Sequence, residues 1–273
     1  MTWFLAQNPV LQGFIASLFT YLVTSAGAGL VFFFKYMNRL MMDLMLAFSA
    51  GVMIAASFWS LLSPAIELSA ELGGNAWLTA ASGFILGGIF IIVSDILLSK
   101  ADLIKLTSVA AASASGDNAS SLKRSILLAA AVTLHNIPEG LAIGVAFGSV
   151  SIGIEGASIW GAVMLTLGIG IQDFPEGVCV AMPLRREGFT RLKSFIIGQA
   201  SGIVEPAAAV LGVIFVMAVR NALPMTLSFS AGAMITVVCS ELIPESFKNN
   251  KNTAALGVLS GFSVMMILDV ALG

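Results

Sequence analysis

The chain has 273 residues, of which 58% are hydrophobic and 10% are charged, and its mean hydropathy is +0.98. Soluble domains carry about 25% charged residues, so this composition excludes a water-soluble domain and requires a lipid bilayer around the chain. The formal net charge of −2 gives a nucleic-acid partner no electrostatic support.

Eight apolar runs follow one another along the chain, each long enough for a membrane-spanning helix, which needs about 20 residues. They cover about 10–34, 42–66, 76–98, 124–148, 157–183, 194–219, 222–243 and 253–273. The connections leave no room for a soluble domain, so the sequence predicts a single all-α polytopic membrane domain over 1–273. The longest connection, 100–122, contains SVAAASASGDNASS, a composition typical of a flexible polar loop.

Lys and Arg are distributed unevenly over the connections. All of them except Arg220 lie in the first, third, fifth and seventh connections. Cytoplasmic loops carry an excess of basic residues, so these four connections are predicted to face the cytoplasm. Both termini then lie outside, and the chain is predicted to be a multi-pass protein of the cell membrane, inner or plasma.

Two pairs of spans share sequence patterns. Span two contains FSAGVMI at 48–54 and span seven contains FSAGAMI at 229–235, which match at six of seven residues. Spans three and eight each carry two glycines and an acid at the same spacing, ending at Asp95 and Asp269. The predicted orientation runs the two members of each pair in opposite directions, which indicates an inverted repeat.

Spans four and five form a third pair, with Asn136-Ile-Pro-Glu-Gly in one and Asp173-Phe-Pro-Glu-Gly in the other. Inverted repeats are the architecture of many secondary transporters, whose sites lie near the membrane midplane between the repeats. The predicted boundaries are about 10–99 for repeat one, 124–183 for the central metal-binding helices and 194–273 for repeat two.

Four acids fall near the middle of their spans: Glu139, Asp173, Glu176 and Glu205. An acid at the centre of a spanning helix costs about 2.5–3.5 kcal/mol unless it has a partner. No Lys or Arg lies in the interior of these spans, so the partner is a proton or a metal ion. Protons alone would describe a relay, whereas a divalent cation would satisfy several carboxylates at once.

The spacing of the polar groups in spans four to six favours the cation. His135 and Glu139 are four residues apart and therefore share one face of a helix. The full candidate set is one imidazole, two amides and four carboxylates: His135, Asn136, Glu139, Gln172, Asp173, Glu176 and Glu205. Mixed nitrogen and oxygen ligation suits Zn²⁺, Fe²⁺, Mn²⁺ or Co²⁺, and the set is large enough for two ions bridged by Glu139 and Glu176.

Other polar residues lie near the ends of their spans. The outer ends carry Glu67 and Asp269, and the inner ends carry Asp95, Glu241 and Glu245. Either these acids are simply solvated at the membrane surface, or they line the two mouths of a transport pathway. Met53 is either a soft ligand facing the His135 group or a packing methionine.

The HNIPEG of span four, the QDFPEG of span five and the SGIVEP of span six together resemble the Zrt/Irt-like protein (ZIP) family of divalent-metal transporters, bacterial type. The resemblance covers essentially the whole chain, and it implies eight transmembrane helices in a 3+2+3 inverted repeat with a mid-membrane metal site, often binuclear. The implied positions are the seven ligands given above, Met53 near the first metal, and Ser60, Glu67 and Asp269 at the extracellular entrance.

The chain departs from the family pattern at three places. The 100–122 loop has no histidine, whereas many relatives carry a histidine-rich loop there. Gln172 stands where many relatives have His, which implies looser affinity and selectivity. Ser240 and Glu241 stand where some relatives have His-Glu. The exit here therefore relies on carboxylates: Asp95, Glu241 and Glu245.

The predicted function is a secondary transporter, not an enzyme, that moves divalent transition metals into the cytoplasm. Family members usually carry zinc, and often iron, manganese or cadmium, so Zn²⁺ or a similar ion is expected as bound substrate, with no prosthetic group. One alternative is a proton-coupled carrier of another solute that uses the acids as a relay. An intramembrane metallohydrolase is a second, but a single histidine argues against it. Metal preference, and whether the chain is a monomer or a homodimer, stay open.

Overall fold

The computed structural model of the chain describes residues 2–100, 117–154, 157–186 and 188–272. Within these ranges the chain is helical, with no strand, which confirms the predicted all-α class. After a short helix at Thr2–Leu5, the long helical segments are α1 (Pro9–Phe32), α2 (Arg39–Glu71), α3 (Ala76–Lys100), α4 (Asp117–Ser151), α5 (Ile159–Arg186), α6 (Arg191–Ala218), α7 (Leu223–Ser246) and α8 (Lys251–Leu272).

Several of these segments are not regular α-helices from end to end. The last turn of α1 is a 3-10 turn at Gly29–Phe32, and a second 3-10 turn at Arg220–Ala222 joins α6 to α7. A π-helical turn interrupts α2 at Ser57–Leu62 and α7 at Val238–Leu242, and another ends α8 at Leu268–Leu272. Helix α6 is broken into Arg191–Ala200 and Val204–Ala218. Such irregularities mark positions where the helical hydrogen-bond ladder is interrupted, often at functional sites.

Side-chain caps fix the starts of four helices. Asn8, Asn38 and Asn250 accept hydrogen bonds from backbone N–H groups two or three residues further along α1, α2 and α8, and Thr190 does the same for α6. Each cap satisfies a donor that the first helical turn leaves without an internal partner. The Asn38 cap explains why α2 begins at Arg39 and not at residue 42, where the predicted apolar run begins.

Seven of the helices in the described part of the chain are long and apolar enough to cross a membrane: α1, α2, α3, α5, α6, α7 and α8. The chain is therefore a multi-pass membrane protein. Helix α4 is 35 residues long but is not among the seven, so its crossing, and with it the count of eight, stays a prediction. Of the predicted loop at 100–122, residues 101–116 lie outside the described residues, and α4 begins at Asp117.

Glycines allow the helices of two pairs to approach closely. Helix α2 packs on α8 and helix α7 packs on α3. The two FSAG glycines lie in these contacts, with Gly51 against the carbonyl oxygen of Val258 and Gly232 against that of Phe84. Any Cβ atom at either glycine would overlap that oxygen, so only glycine permits the approach.

The same device joins the helices that carry the polar residues. Helix α4 packs on α6 and helix α5 packs on α1. In the first pair, Gly140 lies against the backbone of Glu205, and in the second, Gly177 lies against the carbonyl oxygen of Thr24. Because these glycines directly follow the acids of the two Pro-Glu-Gly motifs, close packing brings α6 and α1 against Glu139 and Glu176, respectively.

Different connections between the helices lie at the two ends of the bundle. At one end, Arg39 at the start of α2 forms an ion pair of 2.6 Å with Glu245 near the end of α7. At the other, Ser60 hydrogen-bonds to Asp269 of α8, and the ring of Phe4 packs edge-on against Phe147 near the end of α4. This grouping agrees with the predicted alternation of the connections, while the side that faces the cytoplasm stays a prediction.

Candidate metal centre

All seven predicted ligands are buried in the interior of the bundle. They come from α4, α5 and the second part of α6, and each exposes at most 6% of its surface: His135, Asn136, Glu139, Gln172, Asp173, Glu176 and Glu205. The site thus combines four carboxylates with an imidazole and two amides in a region closed to solvent. So much buried acid is stable only if a counter-charge or protons offset it.

Three of the carboxylates converge on a common point. Oxygen atoms of Glu139, Asp173 and Glu176 all lie within 4.8 Å of one another. Glu139 comes from α4, and the other two come from α5, where a spacing of three residues places them on one side of the helix. A divalent cation between the three oxygens would be held by acids from two different helices.

The amide side chains are oriented by hydrogen bonds. Asn136 donates from Nδ2 to the carbonyl oxygen of Ser201 at 3.0 Å, and Gln172 donates from Nε2 to Oε1 of Glu139 at 2.5 Å. Both donor groups are thereby used, and each amide keeps its oxygen free. Amide and carboxylate oxygens are suitable ligands for a divalent ion.

Lone pairs without a hydrogen-bond partner gather at this place. Among the described residues, the buried polar atoms that lack a partner include Nε2 of His135, Oδ1 of Asn136, Oε2 of Glu139, Oε1 of Gln172, both carboxylate oxygens of Asp173 and Oε1 of Glu205. Buried polar groups in native proteins are nearly always satisfied, so each exception needs an explanation. Protons on the acids would satisfy some of these atoms, and a metal ion would satisfy the acceptors without any donor. Metal binding here stays a prediction.

Prolines shape the backbone around the acids. Helices α4 and α5 continue through Pro138 and Pro175, although each proline leaves a carbonyl oxygen four residues earlier without its usual donor. Pro206 follows Glu205 directly, just after the break in α6. The N–H of Glu205 bonds to the carbonyl oxygen of Gly202 at 3.1 Å. Glu205 therefore lies in the first turn of a helix, where the N-terminal partial charge favours a carboxylate.

Thr20 of α1 also reaches the site, although it is not among the predicted residues. Its hydroxyl hydrogen-bonds to Oε2 of Glu205, and both side chains are fully buried. The signal in the sequence is a row of hydroxyl residues, Ser17, Thr20 and Thr24, on one face of an otherwise apolar helix.

Met53 is fully buried, as a ligand or a core residue would be. It belongs to the main apolar cluster of the bundle, together with neighbours such as Val52 and Ala56. Packing in this cluster accounts for its burial without a metal. Its role as a soft ligand stays a prediction.

The predicted outer mouth is partly assembled. Ser60 donates from Oγ to Oδ1 of Asp269 at 2.7 Å, which links the π-helical turns of α2 and α8. The second oxygen of Asp269, Oδ2, is buried without a partner in the described part of the chain. Glu67, in contrast, is exposed and accepts a hydrogen bond from Ser63 at 3.1 Å. The structure therefore brings together Ser60 and Asp269 and leaves Glu67 at the surface.

The acids predicted at the inner mouth form a line from the site to the end of α7. Oδ1 of Asp95 lies 4.0 Å from Nε2 of His135. Glu241 lies close enough to both Asp95 and Glu245 for their charges to act on it. Glu245 then pairs with Arg39 at the end of the bundle. These pairwise relations fit the predicted exit along Asp95, Glu241 and Glu245, and the passage of a cation along it stays a prediction.

An ionic network next to this line was missed by the sequence analysis. Asp43 exposes 1% of its surface, lies 3.3 Å from Nε of Arg39, and accepts a hydrogen bond of 2.7 Å from Asn249. Because Arg39 also pairs with Glu245, it connects the start of α2 to the end of α7. The spacing of four residues between Arg39 and Asp43 at a helix start is the signal that was available.

Known proteins resemble this chain over most of its length. The family model described as "ZIP Zinc transporter" matches residues 105–269. The chain is 37% identical to "Zinc transporter ZIP11" of Bos taurus, over 98% of this chain and 99% of that protein. It is 35% identical to "Zinc transporter ZIPB" of Bordetella bronchiseptica, over 92% of this chain and 78% of that protein. It is 32% identical to "Zinc transporter GufA" of Myxococcus xanthus, over 96% of this chain and 99% of that protein.

Proposed function

Since this chain belongs to the ZIP zinc transporter family, we propose that it carries Zn²⁺ across the membrane into the cytoplasm by secondary transport, through the buried site between α4, α5 and α6. Membership makes the chain a metal transporter and not an enzyme, so the metallohydrolase alternative is dropped. The choice of Zn²⁺ rests on the names of the relatives and on a donor set that mixes nitrogen with oxygen.

One observation carries the assignment of the site. Six of the seven candidate ligands carry a buried polar atom without a hydrogen-bond partner, all of them except Glu176. Two of the six, Glu139 and Asp173, also belong with Glu176 to the group of carboxylates whose oxygens lie within 4.8 Å of one another. A proton relay would account for the acids alone. A protonated carboxyl group could donate a hydrogen bond to an amide oxygen, but a relay does not require Asn136 and Gln172, because a neutral amide does not titrate. A metal ion uses both kinds of group.

Two adjacent ions fit the donor set better than one. Glu139 and Glu176 contribute carboxylates near the centre, with His135 and Gln172 available to one ion and Asp173 available to the other. Glu205 and Asn136 would complete the second ion's ligands. A carrier must also release the ion that it binds. Transport is therefore served by oxygen-rich ligands shared between two ions, because they hold each ion less tightly than a closed tetrahedral site would.

Mirrored helix contacts support an inverted repeat. When the FSAG motifs and the Gly-Gly-Asp patterns are aligned, Gly51 against Val258 becomes equivalent to Gly232 against Phe84. The π-helical turns at Ser57–Leu62 and Val238–Leu242 also begin at equivalent places. We therefore infer eight spanning helices, with both termini outside as the basic residues predict. Alternating access by movement of one part against another follows from this repeat, and α2–α4 crosslinks that form equally with and without metal would count against it.

Flux into proteoliposomes tests the proposal. Purified protein is reconstituted without ATP, and Zn²⁺ entry is followed with an indicator trapped inside. The wild type is expected to show saturable entry, and His135→Ala and Glu176→Ala are expected to lower the initial rate by about 10-fold or more, since each removes a ligand. Ser263→Ala is the control, because its exposed hydroxyl bonds only to its own helix in α8. Absence of Zn²⁺ entry by correctly inserted wild type would overturn the proposal.

A further inference from the structure

We propose that Thr20 of α1 is a positioning residue for the metal site: its hydroxyl holds one carboxylate oxygen of Glu205 and so directs the other oxygen to the ion. The inference rests on the proposed metal site and adds a residue from a fourth helix to it. Thr20 would not touch the ion and would act only through Glu205.

The contact between the two side chains is direct and closed to solvent. Thr20 and Glu205 each expose 0% of their surface, and Oγ1 of Thr20 hydrogen-bonds to Oε2 of Glu205. The other oxygen, Oε1, is buried and has no partner among the described residues. The carboxylate is thus divided into one oxygen that the protein holds and one that is free for a ligand.

The proton of the Thr20 hydroxyl has two acceptors within reach. One is Oε2 of Glu205, and the other is the carbonyl oxygen of Ser17 at 3.0 Å in the same helix. A charged carboxylate is the stronger acceptor, because hydrogen bonds to ionised groups are about twice as strong as neutral ones. With the carboxylate ionised and bound to metal, the hydroxyl therefore points at Glu205.

Glu205 depends on such support because its own backbone is irregular. It lies just after the break in α6. Its N–H donates to the carbonyl oxygen of Gly202, three residues earlier, in place of the regular helical bond to the residue four positions earlier. The surrounding space is tight, since a Cβ atom at Gly202 would lie 2.9 Å from Oε1 of Glu205 and 3.1 Å from Oγ1 of Thr24. Thr20 therefore contacts the carboxylate directly, and Thr24 lies beside Gly202 at the same break in α6.

Hydrogen bonds to metal ligands set ligand orientation, and their removal typically lowers metal affinity by about 10–100-fold. We expect Thr20→Val, which keeps the shape and removes the donor, to raise the Kd for Zn²⁺ by about this factor. Thr20→Ser keeps a hydroxyl and is expected to restore binding to near wild type. Thr166→Val is the matched control, because Thr166 is also buried in a spanning helix but bonds only to Ala162 of its own helix.

The experiment is a calorimetric Zn²⁺ titration of each purified, detergent-solubilised variant, with Zn²⁺ flux and its KM measured in parallel. A double-mutant cycle with Glu205→Ala separates positioning from general packing. If Thr20 acts through Glu205, Thr20→Val has no further effect on Kd in the Glu205→Ala background. If the same loss persists there, Thr20 acts through packing and the inference is wrong.

The outcomes distinguish this inference from the proposed function. If wild type binds no Zn²⁺, the metal site itself fails. If wild type binds Zn²⁺, Glu205→Ala weakens binding, and Thr20→Val binds like wild type, only the role of Thr20 fails. Should Thr20→Val not purify as a folded protein, Thr20→Ala is titrated in its place, and unchanged affinity in that variant overturns the inference equally.

Discussion

Adding a single methyl group at Gly140 should damage both the helix packing and the metal site. A Cβ atom there would lie 2.4 Å from the carbonyl oxygen of Glu205 and 2.7 Å from its Cα, where ordinary contact begins at 3.4 Å, so α4 and α6 must separate by about 1 Å. Overpacking of this kind costs about 1–3 kcal/mol of folding free energy. The displacement also moves Glu205 by more than the tolerance of about 0.2 Å in ligand distances that a metal site allows.

We therefore expect Gly140→Ala to unfold at a lower temperature than wild type and to bind Zn²⁺ at least about 10-fold more weakly. The unfolding temperature is measured in detergent by tryptophan fluorescence, with and without Zn²⁺. The Zn²⁺ affinity is measured by calorimetric titration. Gly148→Ala is the comparison on the same helix pair, because its Cβ would lie 3.2 Å from Cβ of Val216 and 3.3 Å from Cα of Val213, so a shift of a few tenths of an ångström relieves the contact and a smaller loss is expected. Wild-type stability together with wild-type affinity in Gly140→Ala would refute the reasoning.

Three further predictions follow from single contacts. Arg39→Gln leaves buried Asp43 without its ion pair, so chemical unfolding should show a free energy of unfolding lower by about 1–3 kcal/mol, part of which Asp43→Asn should restore. An unchanged free energy of unfolding would contradict the pairing. Gln172→His supplies a nitrogen ligand and should tighten Zn²⁺ binding in a titration while slowing maximal flux; looser binding would argue against a direct ligand role. Ser60→Ala removes the hydroxyl that holds Asp269 and should raise the KM for Zn²⁺ entry without changing the equilibrium Kd for Zn²⁺. A changed Kd would place Ser60 and Asp269 in the binding site itself.

The helices were largely predictable, because the bilayer imposes a simple rule on every span. Long apolar runs had to become helices, and the described segments follow those runs closely. The ends were less predictable, since they depend on polar residues that hydropathy ignores. Helix α2 begins at its Asn38 cap and extends to Glu71, beyond the predicted 42–66. Helix α4 begins at Asp117, although its first turns are too polar to be recognised as part of a span.

The acids of the site were predictable because unpaired charges inside a span need a reason to be there. The motif spacing placed Glu139 and Glu176 on the faces that meet in the structure, while their binding of metal stays a prediction. Thr20 was not predictable in the same way. The row of hydroxyl residues marks a polar face on α1, but which of them meets Glu205 depends on the register between α1 and α6, which helix packing sets. Asp43 has a local signal in its spacing from Arg39, whereas its second partner, Asn249, lies on a distant connection that the spacing does not reveal.

The location of the ion is the most direct test of the account. Crystals of the protein grown with Zn²⁺ and measured on both sides of the zinc absorption edge would show the metal by its anomalous scattering. The account predicts a peak, or two neighbouring peaks, between the carboxylates of Glu139, Asp173 and Glu176. Zinc found only at the exposed acids near the ends of the bundle, with these three side chains still unliganded, would contradict it.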